Sequence, residues 1–353
     1  MTRRWIASFG VPLFTFTCIA ATGSAGATTE PGGADGACDA EITDIAIVSP
    51  YYSDQPATKE VVDAFTAGAE EAGYTVTMVD TRGDLAEVNT EMENAVAQGA
   101  DTIVLGMGDP LEFGAGLAAA SAAGVPVFGL DAGAADGVTA NITSDNEFLG
   151  ETSAQQMIDA VGDEGRVVMI HFDPFEPVRL RAEAATALFE ENGIEIIEYI
   201  QGDPADSTGF ANTTVSDLLS KYPEGEVDGI WVAWDASALG AYQATQEAGR
   251  TEVIVTGVDG QDFALVEIAK GENWIATVRQ DWPGIATEAL ATIDACSAGT
   301  SPAAQVITVE GQLITAENAA TAGTAASDGT VASEGTAPSD TAGEGTAPSA
   351  TAG

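Results

Sequence analysis

The sequence predicts an α/β protein of two doubly wound, Rossmann-like lobes, and three observations carry that prediction. Between Ile42 and Thr315 one unit recurs: a short β-branched run, a polar turn, then an alanine-rich amphipathic stretch. The apolar runs are nearly continuous rather than alternating, which is the pattern of parallel strands covered on both faces by helices. The stretch is about 270 residues, long for one sheet and comfortable for two lobes.

Taken in order, strands are predicted at 44–50, 74–80, 101–107, 125–131, 165–172, 194–201, 228–234, 252–259 and 274–280. Helices are predicted between them at 58–72, 86–98, 112–123, 146–161, 177–192, 208–220, 236–248 and 284–296. In open parallel sheets, ligands meet the loops at the carboxyl ends of the strands. Those ends carry Ser49, Asp109, Asp131, Asp173, Asp203, Trp234 with Asp235, Asp259, and Gln280 with Asp281. One aspartate there means little, because Asp also caps helices and forms turns. Its recurrence at strand after strand, with a tryptophan among them, predicts a polar binding site.

The two ends of the chain read differently from its middle. Met1-Thr2-Arg3-Arg4, an apolar run from Trp5 to Ala21 and the small residues up to Ala27 have the three parts of a secretory signal over 1–27. The apolar run is short and broken by Gly10 and Pro12, a poor membrane anchor. Arg3-Arg4 leaves general and twin-arginine export both open. Cys18 is read two ways, as a lipidation site tethering the chain outside the membrane or as a signal cysteine lost on cleavage. Residues 28–39 read as a linker. The tail spans 317–353; from Thr321 to Gly353 it is Ala, Thr, Gly, Ser, Pro and acids with one large apolar residue, Val331, and EGTAPSDTAG is nearly repeated as EGTAPSATAG. That tail carries too little apolar surface to offset the entropy of ordering and is predicted to be disordered.

Composition excludes whole classes of partner. There are 55 acidic against 11 basic residues and a formal net charge of -44. Nucleic acid is excluded, since phosphate binding rests on Lys and Arg. Gly106-Met107-Gly108-Asp109-Pro110-Leu111 starts like a dinucleotide fingerprint, but leucine stands where the third glycine belongs. His171, the one histidine, has no G-x-S-x-G serine to serve. No cofactor, no metal and no enzymatic activity are expected.

The succession GxPVFGLDA (124–132), ITSDNxxLG (142–150), VRLRAEA (178–184), WDASALGAYQA (234–244), VIVTGVDGQDFA (253–264) and ATVRQ (276–280) resembles periplasmic sugar-binding proteins of the ribose-binding type. The resemblance runs from about Ile42 to Thr315 and implies the type I periplasmic binding protein fold, with two lobes joined by three hinge crossings. These are expected near Thr143–Ser144, Gln280–Asp281 and Val306–Val309. The first lobe would be 40–143 plus 281–307, and the second 144–280 plus 308–316.

The resemblance also implies site residues. Asp131 and Asp259 stand where that family accepts hydrogen bonds from sugar hydroxyls, and charge-assisted bonds are the stronger kind. Arg181 stands at the ligand arginine, with Arg179 close by, and Gln280 at the hinge glutamine. Trp234 replaces an asparagine beside Asp235 and offers an aromatic face to a ring. Ser49 and Tyr51 complete the expected set, with Tyr51, Tyr52, Asp54 and Gln55 replacing the family's N-terminal asparagine and phenylalanines. Ala132 stands where an arginine usually follows the fourth-strand aspartate. These departures leave the pocket's location intact and put ribose itself in doubt.

Cleavage after Ala27 would leave two cysteines in an oxidising compartment. Cys38 precedes the first strand, at the edge of its sheet away from the cleft. A helix from about Gly284 runs back from the cleft, and thirteen residues at ~1.5 Å carry it about 20 Å. That returns Cys296 to the same edge, so a Cys38–Cys296 disulfide is expected. The functional expectation is an exported carrier, in the periplasm or on the outer face of the cell envelope. It would deliver a small polar ligand, a monosaccharide for preference, to an ABC transporter permease. The membrane would be reached only through that permease or a lipid anchor at Cys18. The alternative is a receptor for a furanosyl autoinducer-type signal or a chemoreceptor ligand carrier.

Overall fold

Near-continuous β-branched runs need cover on both faces, and the chain provides it by alternating strand and helix. The structure is a computed structural model that describes Cys38 and residues 40–322. The predicted signal segment, Cys18, most of the linker and the tail beyond 322 lie outside the described residues.

The first lobe is built from β1 (Asp44–Ser49), α1 (Pro56–Ala72), β2 (Thr75–Asp80), α2 (Leu85–Gln98), β3 (Thr102–Gly106), α3 (Gly114–Ala123), β4 (Val127–Leu130) and β5 (Ala140–Ser144). The second follows as α4 (Asn146–Val161), β6 (Arg166–His171), α5 (Glu176–Glu191), β7 (Glu195–Gln201), α6 (Ser207–Lys221), β8 (Gly229–Val232), α7 (Asp235–Glu247), β9 (Ile254–Asp259), α8 (Asp262–Ile268) and β10 (Trp274–Arg279). Then come α9 (Trp282–Ser297), β11 (Val306–Val309) and β12 (Gln312–Thr315).

The strands form two six-stranded sheets, β11-β5-β4-β3-β1-β2 and β12-β10-β9-β8-β6-β7. The first is parallel throughout, and the second is parallel except for β12, which runs antiparallel to β10. Strand order reverses beside β1 in one sheet and beside β6 in the other, which opens a crevice at their carboxyl ends. Aspartates start several helices: the Asp84, Asp145 and Asp281 side chains accept from backbone N–H groups of α2, α4 and α9. Left-handed glycines at 73, 99 and 124 end α1, α2 and α3.

The helices exchange lobes at the hinge. Leaving β5, the chain forms α4, which packs on the second sheet; leaving β10, it forms α9, which packs against α1 and the first sheet. The third crossing corrects the expected boundary. β11 stays paired with β5 through Thr308 opposite Thr143 and Val309 opposite Ser144. The first lobe therefore extends through Val309 rather than 307, and includes Ser144. The crossing occupies 310–311, because the two strands run side by side until then.

Strands β5, β11 and β12 and helix α8 were not on the list of predicted elements. All are short, and β5 (ANITS) lacks a β-branched run. The start of the predicted tail is also corrected. Ala319 and Ala322 are buried, and Arg279 donates to the Ala322 carbonyl at 2.9 Å. Residues 317–322 thus pack on the second lobe. At the far edge of the first lobe, a disulfide joins Cys38 to Cys296 across a sequence separation of 258, with the Cα atoms 4.5 Å apart.

Candidate functional site

Between the carboxyl ends of the two sheets lies a small cavity. The first lobe contributes Tyr51, Gln55, Ala57, Thr58, Met107 and Asp131. The second contributes a larger share, led by Phe172, Phe175, Arg181, Trp234, Asp259 and Gln280.

Asp131 follows β4 and Asp259 ends β9, equivalent places in the two strand orders. Both adopt positive φ, 49° and 122°. Non-glycine residues take that conformation rarely, and such strain gathers where the surroundings over-determine a side chain's aim. Thr143 Oγ1 donates to Asp131 Oδ1 at 2.5 Å. Asp259 accepts at Oδ1 from Gln280 Nε2 at 2.8 Å and from Arg181 Nη1 at 3.4 Å.

Arg181 is fixed before any ligand arrives. It is 1% exposed and also donates to Asn146 Oδ1 and to the Pro177 and Ala233 carbonyls. Asn146 in turn donates to Thr143 Oγ1 at 3.2 Å. A continuous network thus runs from Asp131 through Thr143, Asn146, Arg181 and Asp259 to Gln280, crossing from one lobe to the other.

Burial pushes both cavity carboxyls up, with the Arg181 charge opposing it: Asp131 is raised, and Asp259 is pushed to about 6. Two acceptors in this network are left over. Among the described residues, Asp131 Oδ2 and Gln280 Oε1 are buried side-chain atoms without a hydrogen-bond partner. An unmet buried acceptor is costly, so both oxygens are built to receive a donor.

The aromatic wall is held as firmly as the polar floor. Trp234 Nε1 donates to Ser207 Oγ at 3.0 Å, and its six-membered ring lies so close over Gly202 that a Cβ there would collide with it. Tyr51 meets Phe175 edge-to-face, with centroids 6.4 Å apart. The lobes touch around the cavity mouth. Gln55 Nε2 donates to the Pro204 carbonyl and to Ser207 Oγ, Gln261 Nε2 donates to Glu60 Oε2, and Arg179 approaches Asp109 at 3.8 Å.

Of the expected site residues, Tyr51, Asp131, Arg181, Trp234, Asp259 and Gln280 line the cavity, whereas Ser49 and Asp235 do not. Ser49 is spent on the first sheet, its hydroxyl donating to the Gly106 carbonyl at 2.6 Å. Asp235 sits behind the wall, accepting from Thr277 Oγ1 and the Gln261 N–H and bracing the turn after Asp259. Burial, then the neighbouring Asp259 charge, raises its carboxyl well above the ordinary range. His171 is buried behind Phe172, stacked on Tyr199 and bonded to Asp173 at 2.8 Å. Sequence reasoning missed Phe172, Phe175, Met107 and Asn146 as site residues. The HFDPF run and the SDN triplet were visible signals, but spacing alone did not aim them at the cavity.

Two closed α/β lobes around a small polar-floored cavity define a solute-binding protein of the type I fold. The chain belongs to the periplasmic binding protein domain family, whose model matches residues 45–301. It is 29% identical over 255 residues to the D-apiose import binding protein of Actinobacillus succinogenes, covering 71% of this chain and 80% of that one. Among solved structures it is similar to an ABC sugar transporter subunit from Rhodobacter sphaeroides, at 27% identity and TM-score 0.74, covering 78% of this chain and 99% of that one. An ABC transporter solute-binding protein from Agrobacterium vitis with bound allitol superposes at TM-score 0.76 and 25% identity, over 80% and 98% of the two chains. These relatives are binding proteins and not enzymes, and they do not favour the autoinducer-type alternative.

Proposed function

We propose that this chain is the extracytoplasmic receptor of an ABC importer, capturing one small polyhydroxylated solute between its lobes and delivering it to a membrane permease. The observation that carries the reading is the pair of unmet buried acceptors, Asp131 Oδ2 and Gln280 Oε1, on the floor of an aromatic-walled cavity. Adjacent hydroxyls supply the donors such a floor needs, and C–H faces pack against rings such as Trp234. The bound allitol and the apiose import of the similar proteins support the same solute class. The signal-like N-terminal segment supports export.

Ligand binds with Asp131, Asp259, Arg181 and Gln280 as polar anchors and Tyr51 and Trp234 as apolar contacts. The test is a thermal-shift panel of pentoses, hexoses, alditols and inositols, followed by solution scattering with the best binder. Ligand that binds the native state raises the melting temperature by mass action. Closure about the hinge lowers the radius of gyration. A panel in which nothing stabilises the protein overturns the reading.

A further inference from the structure

We infer that the solute is a polyol bearing a protonated amine, whose ammonium group docks on Asp131 Oδ2 within the aromatic wall. This deepens the proposed function and rests on it. The charged side chains lining the cavity are two carboxylates, Asp131 and Asp259, and one guanidinium, Arg181. Arg181 is already committed to Asp259, Asn146 and two backbone carbonyls. A guanidinium has five N–H donors, and these contacts engage four of them.

No hydrogen bond joins Arg181 to Asp131, although its charge acts on that carboxyl, and one guanidinium balances only one of the two carboxylates. The place beside Asp131, where the resemblance leads one to expect an arginine, is taken by Ala132, buried and uncharged. One of its oxygens is answered by Thr143, and the other, in a residue 1% exposed, by nothing in the protein. A buried charge without a partner is either neutralised by a proton or paired. Burial raises this carboxyl from its ordinary range, with the Arg181 charge and hydrogen bonds from Thr143 and the Ser144 backbone opposing the rise.

A neutral polyol brings Asp131 Oδ2 hydrogen-bond donors alone, whereas an ammonium brings both a positive charge and N–H donors. Four rings, those of Tyr51, Phe172, Phe175 and Trp234, line the same cavity. Ring faces attract cations once water is excluded. The rim carries the same sign, with the Asp109 and Glu176 carboxylates near the single Arg179. The formal charge of -44 also gathers cations from solution.

The experiment is calorimetric titration of the folded protein at neutral pH with matched sets of four- and five-carbon solutes. Each set holds an alditol, its 1-amino-1-deoxy analogue and the corresponding aldonate. We expect the amine to bind at least tenfold more tightly than the alditol, and the aldonate not to bind. Asp131→Asn weakens both ligands but the amine at least tenfold more. A second readout needs no variant: in buffers of different ionisation enthalpy, alditol binding retains or takes up a proton and amine binding releases one. Alditols binding as tightly as their amines, or identical proton linkage for both, overturns the inference while leaving the proposed function standing. If no member of any set binds, this inference falls, while the proposed function stands or falls on its own wider panel of sugars, alditols and inositols.

Discussion

The two lobes answer the same topological problem with different packing. Each sheet has a paired strand order, and the helix pair α1–α9 in the first lobe corresponds to α5–α4 in the second. In the second lobe, Gly150 of α4 lies directly on the backbone carbonyl of Arg181, and Gly240 of α7 on that of Thr208. In the first lobe, Gly68 of α1 faces the tip of the Leu290 side chain, and Gly116 of α3 faces Met92. The second lobe thus brings helices together at backbone distance, and the first leaves flexible side chains between them. The difference falls where function needs it: the close contact pins the backbone of Arg181, the residue from which the polar floor is organised. A binding site built on one tightly seated helix can present its donors at fixed positions in the cleft.

The sharpest way to break that comparison is to add one methyl to each lobe. Gly150→Ala places Cβ against main-chain atoms of Arg181, which cannot rotate away. It should cost about 3 kcal/mol, at the upper end for overpacking, and displace the guanidinium. Gly68→Ala meets only a leucine tip and should cost less than about 1 kcal/mol; replacing glycine in a helix interior also recovers a little backbone entropy. Urea unfolding of the two variants measures both. Equal losses would mean that the backbone contact in the second lobe has no special weight.

The same contrast explains how much of the molecule was legible in the sequence. Alternating apolar runs and alanine-rich stretches announced the parallel sheets, because burial on both faces leaves a compositional trace. Asp131, Arg181, Asp259 and Gln280 were found because the resemblance aligned them and the structure brings them to one cavity. Ser49 and Asp235 were misplaced there, since a polar residue at a strand end looks the same whether it faces ligand or braces the loop behind. Short β5 and β11 escaped because they are five and four residues long and stand outside the strand–helix alternation, even though β11 (VITV) is β-branched throughout. Phe172 and Phe175 line the cavity, and nothing in their spacing distinguishes a cavity wall from a core.

A second prediction compares the paired carboxylates. Asp259 is pushed up to about 6 by burial, so the native state holds its proton more tightly than the unfolded chain does. Between about pH 4 and 6 the unfolded state gives up that proton first, and stability falls as pH rises; above 6 the loss is complete. Asp259→Asn removes this carboxyl. Its stability relative to the parent should therefore improve from pH 4.5 to 7.5, by on the order of 2 kcal/mol, while ligand affinity is lost. Thermal unfolding at both pH values, without ligand, measures it. A difference between variant and parent that does not change with pH would place the titrating group elsewhere.

The smallest expected effect concerns how the mobile wall is told that the fixed one is occupied. Ser207 Oγ accepts from Trp234 Nε1 within the second lobe and from Gln55 Nε2 of the first, each at 3.0 Å. One hydroxyl therefore links the indole that lines the cavity to the side chain that reaches across the cleft. Gln55→Ala removes the crossing bonds to Ser207 and to the Pro204 carbonyl, and Ser207→Ala removes both bonds to its hydroxyl, leaving the indole N–H without its acceptor. Each variant should weaken binding of the best-stabilising polyol by about 1 kcal/mol, the usual net weight of such a bond. The double variant should lose less than the sum, because the two changes share one partner. Gln55→Ala should also narrow the change in radius of gyration on ligand addition, since the lobes then lack these contacts at the cavity mouth. Strictly additive losses in a double-mutant cycle would show that the indole and the cleft contact act independently, with Ser207 touching both and coupling neither.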